Sequence, residues 1–169
     1  MMRFLIGILA ISVLVNGCTS NVSTDTGREN GVNKTTQITE VSSASGVTAV
    51  SINESSEGNY TFSVTVASEE TGCDRYANWW EVITEDGTLL YRRILAHSHV
   101  DEQPFTRSGG PVEIEADEVV IVRSHMYPTG YHTQAIQGSF TKGFESVTLP
   151  ADFATELAEV EPLPTGCTF

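Results

Sequence analysis

The segment Tyr60-Thr61-Phe62-Ser63-Val64-Thr65-Val66 constrains the fold most, because large apolar and small polar residues alternate through it without a break. Successive side chains of a strand point to opposite faces, so the alternation predicts a half-buried strand with Tyr60, Phe62, Val64 and Val66 turned inward. Val47-Thr48-Ala49-Val50-Ser51-Ile52 has the same period, and residues 54–59 (ESSEGN) supply turn residues between the two runs. A first hairpin is therefore expected. Further strands are expected over residues 77–84, 89–96, 111–115, 119–125, 135–140 and 145–149, with a short helix over 151–159. Many short strands and no long helix predict an all-β fold, a single antiparallel β-sandwich, with a small barrel as the alternative.

Asp86-Gly87 lies between two of the apolar runs. Asp-Gly is a strong hairpin signal, since a type I′ turn needs positive φ at both central residues. With those two as the loop, Glu81 faces Arg92, Trp80 faces Arg93, Val82 faces Tyr91 and Trp79 faces Ile94. These are an ion pair, a cation–π stack and two apolar pairs, each favourable across strands. Trp79 and Trp80 point to opposite faces, one into the core and the other to a surface or a site. The strand pattern is similar to immunoglobulin-like and fibronectin-type sandwiches, although no family signature accompanies it.

The N-terminus reads as an address. Arg3 precedes an apolar run from Phe4 to Val15, interrupted by Gly7 and Ser12. The run is short for a membrane span of ~20 residues and suits a secretory signal. It ends in Leu14-Val15-Asn16-Gly17-Cys18, which resembles the lipobox of bacterial lipoproteins. That resemblance implies a signal peptide over 1–17 and acyl chains such as palmitate on Cys18, which would anchor the chain to a membrane. Thr19 follows in place of the Asp associated with inner-membrane retention, which implies the outer membrane or cell surface of a bacterial envelope. Residues 18–45 form a Ser/Thr/Asn/Gly-rich linker with a reach of roughly 25–30 Å, and residues 46–169 form the β domain. Of the three cysteines, acylation removes Cys18 and leaves Cys73 and Cys167 to pair in an oxidising compartment.

A formal net charge of −13 argues against nucleic-acid partners and against an electrostatic hold on anionic lipid. The histidines are the one chemical constellation. His97 and His99 share a strand face, while His125 and His132 follow within a second strand and its loop. If folding brings them together, they suit zinc or copper. Ser98 and Ser124 stand near histidines, but no nucleophile elbow surrounds either. Trp80, Arg93, Phe105 and Tyr131 form a possible binding surface, with residues 101–107 and 126–132 as its loops. The expected function is a lipid-anchored, non-enzymatic binding module without a cofactor, its partner a protein or small molecule. The alternatives are an envelope metal-binding protein and, more remotely, a metal-dependent hydrolase.

Overall fold

The computed structural model describes residues 45–168. The expected signal peptide, Cys18 and the linker up to residue 44 lie outside the described residues. Nine strands follow in order: β1 (Gly46–Ser56), β2 (Asn59–Ala67), β3 (Tyr76–Thr84), β4 (Leu89–Ile94), β5 (Phe105–Glu113), β6 (Val120–Tyr127), β7 (Gly130–Tyr131), β8 (Gln134–Ser139) and β9 (Gly143–Thr148). They make one sheet in the order β4-β3-β6-β8-β1-β2-β5, with β7 added to β6 and β9 to β8.

The predicted first hairpin is present, and Tyr60, Phe62, Val64 and Val66 are all buried on one face of β2. They meet Val50, Ile52, Trp80, Val82, Val120 and Val122 in one apolar core. The sheet curls around that core until its two end strands nearly meet. There Arg93 Nε of β4 donates to the Ser108 carbonyl of β5 at 3.2 Å. Gly109 makes the approach possible, because a Cβ at that position would lie 2.6 Å from the Tyr91 hydroxyl. A sandwich-like, nearly barrel-shaped all-β domain results.

Three expectations need correction. First, the sheet is mixed, because β1 pairs in parallel with β8 at Gly46↔Gln134. Gly46 has φ 135°, and a Cβ there would meet the Gln134 carbonyl at 2.5 Å, so only glycine permits this closure. Second, β5 begins at Phe105 and runs through Ser108-Gly109-Gly110-Pro111 to Glu113, where a loop was expected over 101–107 and a strand only over 111–115. Two glycines and a proline read as breakers, but here they fit a close strand approach and a bulge against Tyr60 and Phe62. Third, the helix expected over 151–159 is a 3-10 helix over Thr155–Glu159, preceded by turns.

The β3–β4 register agrees with the sequence at all four expected pairs. The turn differs. Gly87 N donates to the Thr84 carbonyl at 3.0 Å, Thr88 N donates to Thr84 Oγ1 at 2.9 Å, and Gly87 has φ 86°. Asp86 does not have positive φ, so this is a wider turn with a bulge between Val82 and Ile83. Threonine at position 84 favours it, by capping the loop with its hydroxyl.

Candidate functional site

Every residue of β3 from Tyr76 to Ile83 is buried, so both faces of this strand are covered. Ala77, Trp80 and Val82 face the core, while Trp79, Glu81 and Ile83 face outward. Opposite them on β6 stand His125, Arg123 and Ile121. A C-terminal strap, residues 149–168, lies over this outer face, with Leu149, Phe153 and Leu157 packed against Ile83 and Ile121.

Charge holds the strap down. Glu81 is fully buried and pairs with Arg92 Nη2 at 2.6 Å and with Arg123 Nε at 2.8 Å, both guanidinium groups being buried as well. Each arginine turns its remaining N–H groups to strap carbonyls. Arg92 donates to Leu157 at 2.7 Å, to Pro162 at 3.1 Å and to Val160, and Arg123 donates to Phe153 at 2.6 Å and to Ala154 at 2.8 Å. Trp79 Nε1 donates to the same Glu81 carboxylate at 3.1 Å. Arg92 lies over the Trp79 ring at 4.5 Å and Arg123 over the Tyr131 ring at 3.6 Å. A buried charge is tolerable only when paired and hydrogen-bonded, and here every member is. The expected disulfide joins Cys73 to Cys167 and fixes the far end of the strap.

Between strap and sheet lies a cavity of about 560 Å³. Its sheet wall is Tyr76, Asn78, Trp79, His125 and Tyr127; its strap wall includes Glu159, Leu163, Pro164 and the disulfide. A bulge between Ala77 and Trp79 shapes the sheet wall, since it sets Asn78 and Trp79 together opposite His125. Bulges commonly re-aim side chains beside functional sites. The Trp79 ring stacks on His125 at 3.9 Å and 8°, and Asn78 Oδ1 lies 2.7 Å from His125 Nδ1. With Nδ1–H donating to that oxygen, Nε2 keeps its lone pair.

Burial above all, then the positive charge of Arg92 and Arg123, drives the His125 pKa down to about 4. The imidazole is therefore neutral at physiological pH. Tyr131 is its counterpart: burial and the nearby Glu81 carboxylate push its phenol up to about 12. The arrangement offers hydrogen bonds and aromatic surface without a charged acid or base on the sheet wall.

A second polar cluster surrounds Glu70. The buried Glu70 carboxylate accepts from Ser68 Oγ at 2.8 Å, Ala77 N at 3.2 Å, Ser98 Oγ at 3.0 Å and His99 N. His99 stacks on Phe105 at 3.7 Å, and both of its ring nitrogens are buried without a hydrogen-bond partner. Burial lowers its pKa, so it too favours the neutral form.

The expected convergence of four histidines does not occur. His97 and His99 lie in the loop after β4, with rings 4.5 Å apart, because the β3–β4 ladder ends at Ile94. His125 points to the strap cavity, and His132 Nδ1 meets Ser124 Oγ at 3.0 Å. Among the described residues, no three His, Cys, Asp or Glu side chains are placed to share a metal ion. The Ser124–His132 pair resembles half a triad, but Ser124 is fully buried and out of reach of a substrate.

Similarity to known proteins is narrow. Over 96 residues the chain is 38% identical to a protein of Halomicrobium mukohataei named "Putative lipoprotein". The match takes in 54% of this chain and 47% of that protein, so the chain spans about half the length of the curated relative it matches. No family profile and no solved structure matches the chain.

The proposed binding surface divides in two. Trp80 and Phe105 are core residues, 0% and 1% exposed, because the register turns Trp80 inward and Phe105 opens β5 against His99. Arg93 is exposed, and instead of stacking on Trp80 it donates to the Ser108 and Ile94 carbonyls. Tyr131 is half-buried beside the site, edge-on to His125 at 4.8 Å. Sequence reasoning missed Arg123, Asn78 and the strap. One signal was available: Arg123 directly follows the apolar run Val119-Val120-Ile121-Val122, and Glu81 interrupts Trp79-Trp80 and Val82-Ile83. Opposite charges lodged in two otherwise apolar strands are a hint of a buried pair.

Proposed function

We propose that this chain is a lipid-anchored envelope protein whose β domain binds a ligand, without chemistry, in the cavity beneath its C-terminal strap. Cys18 would carry the acyl chains, and residues 19–45 would hold the domain away from the membrane. The similarity to a protein named as a lipoprotein supports the anchor. The observation that carries the binding reading is the cavity itself, a preformed space with three aromatic residues and few, well-oriented polar groups. Nothing on its sheet wall is charged at neutral pH, which suits recognition rather than acid–base catalysis.

Mass spectrometry of the mature N-terminus tests the anchor. Acyl mass on Cys18, with release of a Cys18→Ser chain from the membrane fraction, is expected. A wild-type N-terminus lacking acyl mass would overturn it. For the cavity, Trp79 is the reporter: a ligand seated there changes tryptophan emission in the wild-type chain and does not in Leu163→Phe, which fills the space without adding an indole.

A further inference from the structure

The walls of the strap cavity also restrict the chemistry of its ligand. Trp79 offers no open ring face, since His125 stacks at 3.9 Å and Arg92 lies over the ring at 4.5 Å. Tyr127 does: it is 48% exposed at the rim, its ring 6.3 Å from that of Tyr76 across the strand pair. Beside this platform stand a donor, Asn78 Nδ2, left over once Oδ1 has met His125, and an acceptor, His125 Nε2. Across the cavity Glu159 lines the facing wall.

The two walls differ in sign, so a ligand with a single charge is repelled by one of them. Arg92 and Arg123 make the potential at His125 positive, which opposes a cation there. Glu159 on the facing wall and a chain charge of −13 oppose an anion. A ligand that is neutral, presents one apolar face and carries several groups that both donate and accept meets every wall. Hydroxyl groups have this dual capacity, and an aromatic ring takes the apolar face.

We propose that the cavity binds a neutral saccharide, one pyranose ring lying on Tyr127 with its hydroxyls meeting Asn78, His125 and Glu159. The proposal rests on the binding role given to this cavity above and names its ligand class. Saccharides displayed on or near a cell surface are within reach of a tethered domain.

The test uses the purified full chain with its disulfide intact, titrated with maltotriose, cellotriose and chitotriose by calorimetry and tryptophan emission. Spermidine and citrate serve as charged probes. Saturable binding of at least one trisaccharide is expected, weakened tenfold or more (on the order of one decade in Kd) by Tyr127→Ala, with Tm unchanged because Tyr127 is a rim residue. Glu159→Gln should weaken it less. Absence of trisaccharide binding up to about 10 mM, or binding indifferent to Tyr127→Ala, overturns the proposal. Saturation by spermidine or citrate alone, sensitive to Tyr127→Ala, overturns the saccharide and leaves the binding role standing. Silence from all five probes sinks both.

Discussion

The two faces of β3 are buried by different physics. Inward, Trp80 and Val82 join a core held mainly by shape rather than by hydrogen bonds, where even Trp80 Nε1 is buried without a partner. Outward, Trp79 and Glu81 join a network of two arginines, strap carbonyls and a neutral imidazole, where each group needs a partner at a defined angle. Apolar burial tolerates small rearrangements, while a buried charge that loses its partner has no substitute. The inner face thus secures the fold, and the outer face secures one geometry of the strap and of the cavity under it.

That contrast can be broken experimentally, most severely at the disulfide. Cys73 and Cys167 close a loop across a separation of 94 residues. Removing the link as Cys73→Ser/Cys167→Ser should cost about 4–5 kcal/mol on the chain-entropy account. Urea unfolding gives the loss. Hydrogen exchange should show Thr168 and the strap opening before β2, and equal protection of both would erase the distinction between the faces. Next, Glu81→Ala strands two buried guanidinium groups and should cost about 3–5 kcal/mol, more than the roughly 2–3 kcal/mol expected for Val64→Ala on the inner face. If the inner truncation proved the costlier, the charged network would not be what positions the strap.

Acid provides the mildest and most selective probe. His125 keeps its neutral form down to about 4 in the folded chain, whereas its ordinary pKa is 6.5. Between those values the unfolded chain binds more protons, so stability rises with pH across that window and falls on acidification. The expected loss from pH 6.5 to 4 is on the order of 2–3 kcal/mol. Burial also lowers His99 and His132, which adds to the loss in the same direction. Urea midpoints at pH 7 and 4.5 should differ less in His125→Gln than in the wild type, while Val64→Ala should shift both midpoints alike.

The sequence was most legible where one local rule governed. Period-two alternation located β2 and its buried face, and paired residue chemistry gave the β3–β4 register. Cysteine parity gave the disulfide. Contacts between distant segments were not legible. The Gly46–Gln134 closure depends on a missing Cβ, and the β4–β5 seam on Gly109, neither of which a periodicity can express. Apart from its disulfide end, the strap was read as a short helix, because its main attachments run through its own backbone carbonyls, which leave no trace in residue type. Whether the histidines converge was not legible for a related reason: closeness in number along 97–132 does not bring the ends of different strands together.

The manner in which Arg92 and Arg123 hold the strap has a consequence for variation. They grip main-chain oxygens at Phe153, Ala154, Leu157, Val160 and Pro162, an anchorage present whatever side chains those positions carry. Phe153 and Leu157 are also committed to packing, but Glu159, Leu163 and Pro164 face the cavity with few obligations to the fold. The strap side of the cavity can therefore change at little cost to the fold. Related chains could diversify what they recognise by altering a few strap residues, while the barrel behind them stays as it is.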